Sequence, residues 1–111
     1  MTALLVALGA GLGAPLRYVA GHWLDRRLPW GTLLVNLFGS AMLGALVGAA
    51  VGGNWLALLG TGFCGGLTTY STFAVQAVQG GPRRGSAYVV MTVTGCLAAA
   101  TLGHLVAATL T

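Results

Sequence analysis

Four apolar runs, each near the roughly 20 residues needed to cross a bilayer, take up almost all of this 111-residue chain. They cover about 3–23, 31–51, 55–78 and 86–108, joined by short links at 24–29, 52–54 and 79–85. Hydrocarbon satisfies no backbone amide or carbonyl, so spanning segments of this length must form helices. Trp23 and Trp30 flank the first link and Trp55 follows the second, as interfacial anchors would. The expected fold is therefore an all-α membrane protein of four transmembrane helices in a single domain. With 57% hydrophobic and 5% charged residues, the chain cannot cover a soluble globule with a solvated surface. The N-terminus has no basic segment ahead of its apolar run, so a signal peptide is not expected.

The third run does not read as a plain helix. Gly65-Gly66 followed by Thr68-Thr69 puts permissive backbone and competing hydroxyls in its middle. A helix broken at mid-membrane frees polar backbone, which survives only where it is buried in protein, lines a wet cavity or binds an ion. The plainer alternative is a glycine-kinked helix packed closely on a neighbour. If helix resumes beyond the break, Tyr70 and Phe73 share a face. Small residues also recur every four positions: Gly9/Gly13, Gly44/Gly48/Gly52, Gly62/Gly66 and Gly95/Ala99/Gly103. That spacing lets helix backbones approach closely in lipid. Four helices bury little among themselves, so self-association is expected.

Polar residues within the spans are expensive and mark where chemistry belongs. Asn36 lies midway along the second run, with Thr32 on the same face four residues earlier. A membrane asparagine serves as interhelical glue or as a ligand whose NH2 donates to an anion. Tyr88, Thr92 and Cys96 repeat every four residues along the fourth run. They form either a hydroxyl track facing a pore or groups satisfying their own backbone. Arg17 either snorkels or gives an anion vestibule a positive potential. His22 and His104, near span ends, read as surface or packing residues. Cys64 and Cys96 have no metal spacing and read as buried packing residues. The net charge of +4 comes from five Arg and one Asp that are not interleaved on a polar face, which argues against nucleic acid. No nucleophile–base pair or metal constellation supports an enzyme.

Three segments carry a family resemblance. Gly65–Phe73, GGLTTYSTF, closely resembles the GGLTTFSTF signature of the Fluc (CrcB) fluoride channels, with Tyr70 where the signature has Phe. Gly13–Tyr18 resembles that family's GAxxRY element, and Gly31–Gly39 its GTLxxNxxG element. The order, length and helix count also match, so the resemblance covers essentially the whole chain. It implies a passive fluoride-selective channel in the cell (plasma) membrane, exporting fluoride from the cytoplasm to relieve its toxicity. It further implies an antiparallel dimer with two pores and a central structural sodium ion. The sodium would be held by the backbone carbonyls of Gly65 and Thr68 from both subunits; oxygen ligands suit a hard cation.

A small anion leaving water needs replacement donors along its route. Asn36 NH2 and the hydroxyls of Thr32, Ser71, Thr72, Tyr88 and Thr92 are the candidates, with Tyr70 and Phe73 offering positive ring edges. Arg17 is the candidate vestibule residue. The residues alone indicate a small ion or polar solute; fluoride comes from the resemblance. A proton-coupled small multidrug transporter would need a membrane carboxylate, whereas the chain has no Glu and its sole Asp, Asp25, lies in a link. A non-transporting structural subunit would leave the interrupted third run unexplained. Arg26, Arg27, Arg83 and Arg84 all fall in the first and third links, and the opposite side has no Lys or Arg. Such bias fixes orientation, with those links cytoplasmic and both termini outside. The antiparallel second subunit is then expected to be a homologous chain of opposite bias rather than an identical one.

Overall fold

The computed structural model describes residues 2–25 and 29–111. Arg26 and Arg27, half of the arginines in the links, lie outside the described residues. Helix α1 runs Thr2–Leu24 and α2 Trp30–Gly48. A helical run over 53–67, here α3, opens with Gly53–Trp55, continues as π-helix through Leu56–Cys64 and closes with Gly65–Leu67. Helix α4 is Ser71–Gln79 and α5 is Gly81–Leu110. No β-strand occurs among the described residues. Three helices, α1, α2 and α5, are long and apolar enough to cross a membrane, making this an all-α membrane protein. The third apolar run is divided: Thr68 takes extended angles (φ −82°, ψ 159°) between α3 and α4.

Two helix pairs are packed backbone to backbone. Between α1 and α3, a Cβ on Gly9 would strike the Leu58 carbonyl, and one on Gly13 the Phe63 carbonyl. Reciprocally, a Cβ on Gly62 would lie 2.8 Å from the Val6 carbonyl and one on Gly66 2.8 Å from Ala10 Cα. Between α2 and α5, Gly44, Gly48 and Gly103 face the carbonyls of Ala100, His104 and Ala41 as closely. Small residues at these crossings replace the hydrophobic drive that helices lack in lipid. The expected stripes reach less far than their spacing: Gly52 has open space around it, and Gly95 meets only a Leu37 side chain.

Burial is inverted relative to a soluble protein. Large apolar side chains on every long helix are exposed, whereas Thr32, Asn36 and Thr92 are buried beside a small apolar core that includes Leu33, Val35 and Leu67. The described chain measures 41 × 30 × 18 Å. Its long dimension suits a bilayer with headgroups, and its thinnest is less than two helix diameters. It is a slab.

Two ends differ from the sequence reading. The fourth helix begins at Gly81, not near residue 86, because Gly81 turns the corner at φ +81° and Pro82 starts a helix well. Most of the expected third link is therefore the first turn of α5. Helix α2 ends at Gly48 rather than 51, in a Schellman motif: Ala50 N–H donates to the Val47 carbonyl and Val51 N–H to the Leu46 carbonyl. Ala50 holds the left-handed position at φ +58°, where a Cβ costs about 1 kcal/mol. Ala50→Gly should raise the unfolding midpoint in detergent. Gly48→Ala should lower it, since its Cβ meets the His104 carbonyl.

Candidate functional site

The interruption at 68–70 creates the site, and side chains repair it. Thr68 N–H and Oγ1–H both donate to the Cys64 carbonyl, at 2.9 and 2.8 Å. Thr69 N–H, which in a continuous helix would bond the Gly65 carbonyl, donates instead to Asn36 Oδ1 at 2.9 Å. Asn36 Nδ2 returns a bond to the Thr69 carbonyl at 3.2 Å. The two partners fix the amide's orientation, because N–H must face an acceptor and oxygen a donor. Thr69 Oγ1 then accepts from Thr72 N–H at 3.2 Å, capping the start of α4. Four carbonyls at the break, those of Gly65, Gly66, Leu67 and Thr68, accept no backbone hydrogen bond among the described residues, the Gly65 one because its helical donor has gone to Asn36. A Cβ on Gly65 would meet nothing within 4 Å, so this side of the break is open.

An open groove of about 630 Å³ runs along this face, lined by Asn36, Thr68, Thr69, Tyr70, Phe73, Thr92 and Cys96 among others. Thr92 is 4% exposed and its hydroxyl has no partner. A buried unpaired hydroxyl costs stability of order 1–3 kcal/mol, so this one calls for a partner beyond the well-formed hydrogen bonds of the described residues. Asn36 Nδ2 has a second N–H beyond the one given to Thr69. The aromatics form a ladder: Tyr70 and Phe73 centroids are 6.2 Å apart and tilted 55°, Phe73 and Tyr88 5.2 Å apart and tilted 51°. Tilted pairs expose positive ring edges. Among the described residues, no acidic, basic or histidine side chain lines the groove.

Of the residues expected along an ion path, Asn36, Tyr70, Phe73 and Thr92 share this groove. Ser71 and Thr72 are exposed on the first turn of α4, and Arg17 is half-buried on α1; none of the three lines it. Thr32 and Tyr88 belong to a second polar cluster organised by Asp25. Asp25 Oδ1 accepts from Thr32 N–H and Oδ2 from the Thr32 hydroxyl, both at 3.0 Å. Oδ2 also accepts from Gln76 Nε2 at 3.0 Å, and Gln76 Oε1 accepts from the Tyr88 hydroxyl at 3.1 Å. Asp25 thus caps the start of α2 from seven residues upstream and ties it to α4 and α5.

Asp25 and Gln76 were not among the expected site residues. A signal existed for each. Asp25 precedes Pro29 and the Trp30 helix start, where an acid suits the unpaired amides. Gln76 is the one polar residue between Phe73 and Val78.

Inverted burial, glycine-mediated helix contacts and an uncharged polar groove beside an interrupted helix define a small polytopic membrane protein of the solute-path type. The family model described as "CrcB-like protein, Camphor Resistance (CrcB)" matches residues 4–104, and the chain belongs to that family. It is 54% identical over 109 residues to the Fluoride-specific ion channel FluC 2 of Rhodococcus jostii, covering 93% of this chain and 96% of that one. It is 41% identical over 110 residues to the Fluoride-specific ion channel FluC of Bordetella petrii, covering 90% and 86%.

The clamp on Thr69 has a direct test. Asn36→Ala leaves one amide and one carbonyl of the break unpaired, a loss of about 2 kcal/mol or more. Its thermal midpoint in detergent should fall, and the Thr69 amide should exchange hydrogen faster while the ends of α5 keep their protection.

Proposed function

We propose that this chain is a subunit of a passive fluoride-selective ion channel in the cell membrane, exporting fluoride from the cytoplasm and so relieving fluoride toxicity. The observation that carries the reading is the uncharged donor groove, with its unpartnered Thr92 hydroxyl, spare Asn36 N–H and aromatic edges. Donors without formal charge replace hydration yet hold an anion weakly enough for release. Ser71 and Thr72 offer further hydroxyls at the approach, and Arg17 a positive potential at the mouth. The ion's identity rests on the relatives' names. A proton-coupled antiporter is disfavoured because the groove has no carboxylate.

The 18 Å slab leaves the groove open, so a complete path calls for a second subunit. An antiparallel partner across the open side at Gly65 would close it, with the divided third run as a fourth membrane span broken at mid-membrane. A sodium ion there is proposed to take the Gly65 and Thr68 carbonyls, two from each subunit, out of the four at the break that accept no backbone hydrogen bond, since a hard cation takes oxygen ligands. Bound, it would offset the desolvation of those carbonyls and fix the two breaks together.

Reconstituted into liposomes, alone or with a homologous partner chain, the protein should release fluoride and retain chloride. Thr92→Val should slow fluoride release by about three- to tenfold, the worth of one hydrogen bond. Chloride release at a comparable rate contradicts the reading.

The partner is proposed to be a homologous chain of opposite charge bias. The Asp25–Gln76 bond joins the first link to α4 close to its corner with α5, so Arg83 and Arg84 lie toward the same end as that link. Positive residues at one end favour a single orientation with that end cytoplasmic. Reporters fused to either terminus should signal only from outside. Equal signals from both compartments would mean dual insertion and an identical partner.

A further inference from the structure

Both polar clusters contain hydroxyls, but only one leaves a hydroxyl unpaired. Thr92 has no partner, whereas the protons of Thr32 and Tyr88 are already given away. What fixes their direction is Asp25. A carboxylate only accepts, so Thr32 must donate to it through both N–H and O–H. Gln76 must likewise turn its NH2 toward Asp25, which leaves Oε1 facing Tyr88. An amide oxygen also only accepts, so the Tyr88 hydroxyl is bound to donate into the protein. Reversing that bond requires the Gln76 amide to flip and to set its oxygen against the carboxylate. With Thr32 and Tyr88 each 3% exposed, water offers no easy substitute.

We propose that Asp25 is a positioning residue: acting through Gln76, it locks the Tyr88 hydroxyl as a donor into the protein and, with the Thr32 hydroxyl, withholds it from a passing anion. The lock itself follows from the hydrogen-bond chain; its consequence for transport rests on the fluoride-channel reading. Tyr88 packs on Phe73, which lines the groove, so a released Tyr88 proton would lie beside the path. An extra donor there would tighten anion binding and slow release. Asp25 thereby keeps this end of the path weakly binding although the Tyr88 hydroxyl stands next to it.

Asp25→Asn is the discriminating change. Its oxygen can still accept from Thr32 N–H, but its NH2 now faces Gln76 and Thr32 Oγ1. Gln76 then presents oxygen to Asn and NH2 to Tyr88, and both hydroxyl protons come free. Gln76→Met breaks the chain at its middle while leaving Asp25 capping α2, which covers the case in which Asp25→Asn fails to assemble. The first readout is independent of transport: the Raman Fermi doublet of Tyr88, taken as the difference between each protein and the same background carrying Tyr88→Phe. It should report a donating hydroxyl in the native chain and lose that signature in both variants. The second is the fluoride concentration giving half-maximal efflux, which should fall about three- to tenfold in both variants, with a lower maximal rate. Adding Tyr88→Phe to Gln76→Met should abolish that fall. A donor signature unchanged in the variants overturns the proposal whatever the flux. A lost signature with unshifted half-saturation overturns its transport consequence alone. Absence of fluoride flux from the native chain counts instead against the channel reading.

Discussion

The pair of hydrogen bonds between Asn36 and Thr69 is the interaction on which the rest of the structure depends. An apolar surround supplies no donor or acceptor, so a chain that leaves helical geometry there must bring its own. Asn36 does so with a single amide that matches one backbone N–H and one carbonyl. Because that amide is rooted on α2, the divided run is held at a fixed height against a continuous helix. The groove, the Gly65 carbonyl without its helical donor and the restart of α4 at Ser71 all follow from where that clamp sits.

Backbone proximity does the remaining work. At Gly9, Gly13, Gly44 and Gly48 any side chain would enter a neighbouring carbonyl. The helices therefore meet through main chain, leaving their large apolar side chains to face outward. This division of labour explains why the few buried side chains are so often polar. Space between closely set helices admits only small or hydrogen-bonded groups, and bulky residues are displaced to the lipid side.

Much of this was legible in the sequence, for physical reasons. Membrane-length apolar runs constrain the backbone so strongly that helix is the only local solution, and four-residue spacing of Gly marks faces without needing the partner's identity. Asn36, in the middle of such a run, could be singled out on cost alone. What escaped depends on contacts distant in the chain. Thr32 and Tyr88 looked like available hydroxyls because pattern shows a donor but not its acceptor; Asp25 and Gln76, 51 positions apart, supply those acceptors. Similarly, Gln79 through Gly85 looked like a link, since local composition does not reveal that Gly81 makes the turn and Pro82 opens the next helix.

The chemistry of the groove lining carries one further consequence. Its polar groups are amides, hydroxyls, backbone carbonyls and thiols beside aromatic rings, with no histidine and no carboxylate. The orientation of the Asn36 amide is fixed by hydrogen bonds to the Thr69 backbone. The electrostatic face that the groove turns to a solute is therefore set in large part by fixed dipoles. A solute entering the groove therefore meets donors and acceptors whose directions the fold has already chosen.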